Sequence, residues 1–249
     1  MRHTFTALAL ILLPWLASCQ VVDDESTVLI TGANRGVGLA LVKEFQEIGF
    51  NVIGTARNPD SATDLKSTGA RVIALDVTSQ SSVDAMAELL DGISIDVVVN
   101  NAGILGGDST DLARLDIEDV SRVMDVNTLG PLRVIQALHP NVRDSERKMF
   151  VNISSMMGSN TLNTFGQYAG YRASKAALNA INKTFAEDFG EDGLVFVVMH
   201  PGYVQTDINN GRGEISSTES ASGLVKVIRS LDEEDNGKFY DWQGDQLPW

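Results

Sequence analysis

The chain has 249 residues, enough for one α/β domain with a sizeable core, and its 43% hydrophobic and 21% charged content is ordinary for a globular protein. A formal net charge of -14 argues against nucleic acid as a partner, because nucleic-acid binding requires a basic patch. With one cysteine and three scattered histidines, we expect no metal site and no internal disulfide.

The first 19 residues have the pattern of a secretory signal. Arg2 supplies a positive charge, an apolar stretch follows over residues 5–16, and small residues precede Cys19. The apolar stretch is too short to span a membrane. Cys19 at this position resembles the lipidated cysteine of the lipobox in bacterial lipoproteins. We interpret residues 1–19 as a signal segment ending in a lipobox and residues 20–26 as an acidic linker.

From residue 27 onward, apolar runs of strand type alternate with amphipathic helical stretches. Predicted strands cover residues 27–30, 51–55, 71–75, 96–99, 148–153, 195–200 and 238–240. Predicted helices cover residues 36–48, 81–90, 117–138, 171–189 and 218–230, the third interrupted near Gly130 and Pro131. The alternation implies right-handed crossovers between parallel strands. The sequence predicts an α/β fold over residues 27–249: one doubly wound, Rossmann-like parallel sheet of about seven strands, with helices on both faces.

A glycine-rich turn follows the first predicted strand and opens the first predicted helix. Its sequence is Thr31-Gly32-Ala33-Asn34-Arg35-Gly36-Val37-Gly38. Glycine permits a tight turn and lets the backbone approach a pyrophosphate, which the free N–H groups of the helix N-terminus would bind. The turn alone is weak evidence, because an ordinary strand–helix connection can also be glycine-rich.

Tyr171 and Lys175 are four residues apart, so they project from the same face of a helix. An ammonium group beside a phenol favours the phenolate and lowers its pKa, which suits the tyrosine for general acid/base catalysis. The alternative is a surface tyrosine and lysine with no chemical role.

Three further motifs follow predicted strands in order. Asp76-Val77 follows the third strand, Asn100-Asn101-Ala102-Gly103 the fourth, and Pro201-Gly202-Tyr203-Val204-Gln205-Thr206 the sixth. Together with the glycine turn and the Tyr–Lys pair, these motifs resemble the short-chain dehydrogenase/reductase family over about residues 27–249. The details are closest to the branch of the sniffer carbonyl reductases and C-factor. The resemblance implies a small-molecule carbonyl or alcohol substrate.

The resemblance also implies roles for individual residues. Ser155, after the fifth strand, would bind the substrate carbonyl, and Tyr171 would deliver the proton. Lys175 would lower the pKa of Tyr171 and hold the nicotinamide ribose, while Asn127 would hold a water of the proton relay. Residues implied to contact the cofactor are Gly32, Asn34, Arg35, Gly36, Val37, Gly38, Arg57, Asp76, Val77, Asn101, Ala102, Gly103, Tyr171, Lys175, Pro201, Gly202, Val204 and Thr206. Ser154, Ser174 and Tyr168 are near misses.

Charge after the second strand favours NADP(H) over NAD(H). An NAD site places an acid there for the ribose 2′-hydroxyl, but this chain has no acid before Asp60. Arg57 could bind a 2′-phosphate, with help from Arg35, because a guanidinium bonds two phosphate oxygens at once. Alternatively, both arginines are solvated surface charges.

Ser155 and Tyr171 are sixteen positions apart, a longer separation than is common in the family. The side chains that could line an apolar pocket there, or else pack in the core, are Met156, Met157, Leu162, Phe165 and Tyr168.

The leading hypothesis is an NADP(H)-dependent oxidoreductase, with a homodimer suggested by the family. The alternative is an envelope-associated signalling or binding protein that retains the fold. The expected location is lipid-anchored on the periplasmic side of the envelope, with the membrane reached only through Cys19. If residues 1–19 are not a functional signal, the expected location is cytoplasmic. A nicotinamide cofactor favours this cytoplasmic alternative.

Overall fold

The computed structural model describes residues 26–107 and 111–249. The predicted signal segment with Cys19 and nearly all of the predicted linker lie outside these residues. Within them, no helix combines the length and apolarity that crossing a membrane requires.

Seven parallel strands form one sheet, which confirms the predicted fold class. The strands are β1 (Thr27–Ile30), β2 (Asn51–Ala56), β3 (Arg71–Ala74), β4 (Val97–Asn100), β5 (Met149–Ile153), β6 (Val195–His200) and β7 (Phe239–Asp241). Their spatial order is β3-β2-β1-β4-β5-β6-β7, and each neighbouring pair runs parallel. The order reverses direction between β1 and β4, the position at which open α/β sheets bind ligands.

Helices pack on both faces of the sheet. They are α1 (Gly36–Glu47), α2 (Thr63–Ser67), α3 (Gln80–Leu89), α4 (Ile117–Met124), α5 (Gly130–Arg143), α6 (Ala169–Phe189) and α7 (Ser217–Ser230). The short helix α2 was not predicted. Helix α5 continues to Arg143, beyond the predicted end at residue 138, because Pro140 is accommodated inside its last turns.

The predicted interruption of the long third helix is real, but it is a π-helical turn. This turn, Asp125–Leu129, joins α4 to α5 directly before Gly130. Pro131 lies immediately after this turn, and proline is one of the usual causes of such an irregularity because it lacks an N–H for the helical ladder. Wide turns of this kind often occur at functional sites, and this one contains Asn127.

Alternating strand residues build two cores, one on each face of the sheet. Val28 and Ile30 join the core that contains residues of α1 and α7, such as Phe45 and Leu224. Leu29 between them faces the other core, together with residues of α3, α5 and α6. Burial on both faces explains the uniformly apolar strands, and it holds the carboxyl ends of β1, β4, β5 and β6 in fixed positions.

Candidate active site

The glycine turn after β1 is closely packed. Gly32 has φ +63°, and a Cβ there would lie 2.9 Å from the Ala102 Cα. A Cβ on Gly38 would lie 2.4 Å from the Gly32 carbonyl oxygen. Gly36, at φ +55°, starts α1 and faces Thr206, whose methyl group would lie 3.3 Å from an added Cβ. Glycine is therefore required at these positions, because a Cβ would collide with neighbouring protein atoms at Gly32 and Gly38, and Gly32 and Gly36 have positive φ.

Thr31 joins this turn to the segment after β4. Its hydroxyl accepts hydrogen bonds from the backbone N–H groups of Asn101 and Ala102, both at 3.0 Å. The Asn101 side chain donates back to the carbonyl oxygens of Thr31 and Gly32 at 2.9 and 3.2 Å. Thr31 was quoted in the motif but given no role. The only indication of this role in the sequence is that Thr31 is a polar residue at the end of an apolar strand.

The charged groups proposed for the adenosine end lie at the surface. Arg57 is exposed but close to Asp76, whose pKa lies below its ordinary value. Hydrogen bonds from Thr78 are the main cause of that shift, with a smaller contribution from Arg57. Arg35 is also exposed, and its guanidinium forms an ion pair with Asp207 at 3.1 Å.

The remaining predicted cofactor residues surround the same cleft. Asn34 is exposed and Val37 is half-buried in the first turn of α1. Val77 is buried, and its side chain approaches Gly130 so closely that an added Cβ would lie 2.9 Å away.

The segment after β6 approaches the glycine turn from the other side. The Pro201 carbonyl accepts a hydrogen bond from the Ser220 hydroxyl at 2.6 Å. Gly202, at φ +87°, turns the chain, and Val204 is buried. Thr206 then caps the short 3-10 helix Asp207–Asn209, which places its methyl group against Gly36.

Ser155 and Tyr171 meet as expected, but the pKa of Tyr171 does not shift as expected. Ser155 is buried shortly after β5, and its side chain approaches the Tyr171 hydroxyl closely enough to favour the phenolate. Part of the Tyr171 side chain is exposed, while its hydroxyl end is enclosed. Burial raises the pKa of Tyr171 to about 12, and the approach of Ser155 opposes this only partly.

The expectation that the pKa of Tyr171 lies below its ordinary value is therefore wrong for this structure. The Lys175 ammonium lies 5.8 Å from the centre of the Tyr171 ring and donates a hydrogen bond to the Ile153 carbonyl at 2.8 Å. Lys175 is 4% exposed, and burial lowers its pKa to about 8. Desolvation penalises the charged form of each group, which raises the pKa of the phenol and lowers that of the ammonium.

Asn127 is fully buried beside this pair. Its amide nitrogen donates to the Ile104 carbonyl at 2.8 Å and to the Ser174 hydroxyl at 3.0 Å, and its oxygen accepts the Ile104 N–H at 2.9 Å. A Cβ on Gly103 would lie 3.3 Å from the Asn127 oxygen and 3.6 Å from the Lys175 nitrogen. The fold thus brings Gly103, Asn127 and Lys175 to one place.

Two near misses have positions that explain their exclusion. The Ser154 hydroxyl donates to the Asn179 side chain at 2.7 Å inside the protein, which is a packing role. Tyr168 lies before the first turn of α6, in the left-handed region at φ +52°. Ser174 connects Asn127 to the Tyr171 carbonyl, so it positions two candidate residues.

A chain of buried amides supports the site from behind. Asn100 on β4 donates to Asn152 on β5 at 2.9 Å, and Asn152 donates to Asn182 on α6 at 2.8 Å. Asn182 in turn donates to the Phe196 carbonyl on β6 at 3.1 Å. Sequence reasoning assigned none of these bonds. The signal was present as asparagines within apolar strands, where unpaired amides would be costly.

Known proteins share this architecture. The family model described as short chain dehydrogenase matches residues 26–216. C-signal of Myxococcus xanthus is 39% identical over 155 residues, covering 62% of this chain and 93% of that protein. The NADPH-bound carbonyl reductase from chicken fatty liver has a TM-score of 0.83 and 32% identity, covering 90% of this chain and 98% of its own. Carbonyl reductase Sniffer of D. melanogaster has a TM-score of 0.85 and 27% identity, with coverage of 90% and 100%.

These similarities agree with the branch expected from the motifs, since both C-signal and Sniffer are among the similar proteins. The family model covers most of the chain, and the parallel sheet carries its motifs at strand ends. The chain belongs to the short-chain dehydrogenase/reductase family of oxidoreductases.

Proposed function

We propose that the protein is an NADP(H)-dependent oxidoreductase that interconverts a ketone or aldehyde and an alcohol, with Tyr171 as the general acid/base. The observation that carries this proposal is that the Ser155 side chain approaches the Tyr171 hydroxyl, with the buried Lys175 ammonium 5.8 Å from the centre of the Tyr171 ring. The pair lies at the carboxyl edge of the sheet, as do the glycine turn and the segment after β6.

The residues of the cleft fit a dinucleotide. Gly32, Gly36 and Gly38 let the glycine turn pack closely against Ala102, Thr206 and the turn itself, and the start of α1 favours an anion. Asn101 and Thr206 border that turn. When bound, the nicotinamide cofactor supplies or accepts the hydride.

The protein's own groups handle the proton and the orientation of the substrate. In the reducing direction, Ser155 donates a hydrogen bond to the carbonyl oxygen. Tyr171 is protonated at neutral pH, because its pKa lies near 12, so it is in the form that can donate a proton. In the oxidising direction, the same hydroxyl must accept a proton, and a cationic Lys175 stabilises the phenolate that does so.

Lys175 and Asn127 complete the proposed relay. With a pKa of about 8, Lys175 can exchange protons close to neutral pH. Its nitrogen is near Gly103 and Asn127, whose amide oxygen can accept a second hydrogen bond, for instance from a water. Lys175 would also hold the nicotinamide ribose.

The preference for NADP(H) rests on charge. Arg57 lies after β2, where an NAD site carries an acid, and Arg35 lies in the glycine turn. A protein similar to this one, the chicken carbonyl reductase, is described as NADPH-bound. We expect Arg57→Asp to weaken NADPH binding by roughly 10- to 100-fold, since hydrogen bonds to charged groups contribute about 1.5–3 kcal/mol. An unchanged ratio of NADPH to NADH affinity would contradict the assignment.

The activity is tested by NADPH oxidation with a panel of ketones and aldehydes. The wild type should turn over at least one of them, and Tyr171→Phe should lose nearly all of that activity. Tyr240→Phe is the matched control, because it removes a phenol hydroxyl that bonds Asp235 and belongs to β7 at the edge of the sheet, and it should retain activity. Undiminished turnover by Tyr171→Phe would contradict the proposed role.

A second candidate function is envelope-associated signalling or binding. It is favoured by the similarity to C-signal and by the lipobox-like sequence before Cys19. Retention of Asn127, Ser155, Tyr171 and Lys175 favours the enzyme, since a binding protein needs no such set. A signalling activity that survives Tyr171→Phe would support the second candidate.

The location and assembly are separate proposals. Lipidation at Cys19 predicts incorporation of radioactive palmitate that Cys19→Ala abolishes, and label that persists in this variant would refute it.

We also propose a homodimer through α6, as is common in the family. Sedimentation equilibrium tests this, and a monomer at micromolar concentration would contradict it.

A further inference from the structure

The segment between the two proposed catalytic residues is the least regular part of the site. Residues 156–170 follow Ser155 and lead into α6, with only the 3-10 helix Met156–Gly158 and the start of α6 regular. Met156 and Phe165 are 44% and 64% exposed, so these two side chains are not core packing. This segment lies against the helix that carries Tyr171 and Lys175, because Gly158 packs on the Lys175 backbone, where an added Cβ would lie 2.9 Å away.

Arg172 ties the two ends of this segment together. Its side chain is buried, with the residue 8% exposed. Its Nε donates to the carbonyl oxygens of Gly166 and Gln167 at 2.9 and 3.0 Å. Its Nη1 donates to the Met157 carbonyl at 3.3 Å. One guanidinium therefore connects the beginning of the segment to its end.

The same guanidinium holds the most exposed aromatic side chain of the segment. The Phe165 ring lies 4.5 Å from the Arg172 Cζ, in a cation–π contact. Among the described residues, the partners of Arg172 are carbonyl oxygens and this ring rather than a carboxylate. The Arg172 guanidinium thus positions the backbone of the segment and the Phe165 ring.

The C-terminus holds the middle of the segment. The Trp249 carbonyl accepts hydrogen bonds from the Thr161 N–H at 3.2 Å and from its hydroxyl at 2.7 Å. Trp249 itself stacks on Phe239 of β7, with ring centres 5.5 Å apart. The segment is therefore attached at both ends to α6 and at its middle to the sheet.

We propose that Arg172 is a positioning residue that sets carbonyl selectivity, by holding residues 156–170 as the wall of the substrate pocket beside Ser155 and Tyr171. The proposal rests on the oxidoreductase function proposed above. Arg172 follows Tyr171 on α6, so it links the position of the wall to the position of the proton donor. Lysine cannot replace it, because an ammonium is a compact point charge and lacks the rigid fork that reaches carbonyls on both sides.

The first test does not depend on activity. Chymotrypsin cuts after aromatic residues, and the segment offers Phe165 and Tyr168. We expect Arg172→Lys and Arg172→Met to be cut there faster than the wild type, as followed by mass spectrometry. The control is Arg143→Met, which removes an exposed guanidinium paired with Asp144 on α5. Equal cleavage of the wild type and both Arg172 variants would overturn the proposal.

The second test separates selectivity from general damage. It uses the bulkiest and the smallest carbonyl that the wild type turns over. In Arg172→Lys, KM for the bulky carbonyl should rise roughly 10- to 100-fold, because misplacing a contact by about 1 Å has effects of that size. KM for the small carbonyl, KM for NADPH and the pH profile should stay unchanged. An equal loss of kcat with both carbonyls would indicate a merely structural role and overturn the proposal.

Thr161→Val supplies a test that leaves α6 intact, should the Arg172 variants fold poorly. It removes one hydrogen bond to Trp249, so KM for the bulky carbonyl should rise by about fivefold or less, with the small carbonyl unaffected. No change with either carbonyl would count against the wall. If the wild type turned over no carbonyl at all, the proposed function would fail. The cleavage comparison would still decide whether Arg172 holds the segment.

Discussion

The two halves of the cleft are built by different means. The half beside β1 and β4 is shaped by backbone, with glycines in close contact and Thr31 and Asn101 bonding between adjacent turns. The half formed by residues 156–170 depends on side chains from elsewhere in the chain, Arg172 and Trp249. The first half suits an invariant ligand such as a dinucleotide, whereas the shape of the second depends on a few side-chain contacts to α6 and β7.

Lys175 lies between the two halves, and its replacement should have the largest effect. In Lys175→Met, kcat/KM should fall by roughly 10²- to 10⁴-fold, the usual contribution of acid/base catalysis. Stability at pH 7 should be maintained, because a buried group with an unfavourable charge is replaced by an apolar one. Enzyme assays and thermal unfolding check the two expectations, and retained activity would remove Lys175 from the proposed relay.

Lys175 also predicts a pH effect on stability. Its pKa of about 8 in the folded protein lies below its ordinary 10.5. The unfolded chain therefore binds this proton more tightly, and the wild type should gain stability relative to Lys175→Met as pH rises from about 8 to 10.5. If the difference in free energy of unfolding between the two proteins stayed constant across that pH range, the lowered pKa of Lys175 would be contradicted.

His200 ends β6, directly before the segment that packs against the glycine turn. We expect its protonation at low pH to reduce the stability of the folded protein. Burial lowers its pKa to about 4, from an ordinary 6.5, so the folded protein keeps it neutral. Its stability contribution is complete above pH 6.5 and is lost as pH falls towards 4. This loss amounts to up to about 3 kcal/mol. His200→Asn should lack that loss in urea unfolding between pH 7 and 4, and a loss equal to the wild type's would refute it.

Gly38→Ala tests how tightly the glycine turn is packed. The new methyl group would lie 2.4 Å from the Gly32 carbonyl. We expect about 1–3 kcal/mol of destabilisation from overpacking, together with weaker NADPH binding. Gly107→Ala is the control, since the nearest atom to its added Cβ is 3.4 Å away. Equal unfolding midpoints for the two variants would show that the turn can relax.

The smallest expected effect concerns the ion pair between Arg35 in the glycine turn and Asp207 in the segment after β6. Asp207→Asn releases Arg35, and it should leave stability nearly unchanged because both side chains are exposed. NADPH should bind more tightly by at most about fivefold at low salt, with the difference disappearing at high salt. Asp144→Asn, which breaks another exposed pair, should have no effect on binding.

Much of the fold was predictable because doubly buried strands must be apolar. The predicted strand at residues 27–30 matches β1, and the order of motifs along the strands was sufficient to assemble one edge of the sheet. The helix α2 was missed because it has five residues and buries only Leu65. The end of α5 was predicted at residue 138, but the helix continues through Pro140 to Arg143.

The candidate site was partly predictable, and the errors concern environment. Spacing placed Tyr171 and Lys175 on one face, and the structure brings Ser155 to the same hydroxyl. The direction of the pKa shift at Tyr171 was wrong, because helical spacing does not reveal how deeply the hydroxyl is enclosed. Similarly, Arg172 was given no role from the sequence, because its bonds to Met157 and Gly166 depend on the path of the segment.

By itself, the sequence determined the α/β class, the glycine turn and the tyrosine–lysine pair, because periodicity, backbone freedom and short spacings are local properties. The tertiary structure decided which groups are desolvated, which of them pair across the cleft, and what holds residues 156–170. These depend on contacts between positions far apart in the chain, such as Thr161 with Trp249 and Asn100 with Asn152. Local patterns therefore identified the chemistry, and long-range packing set its electrostatics and the wall of its pocket.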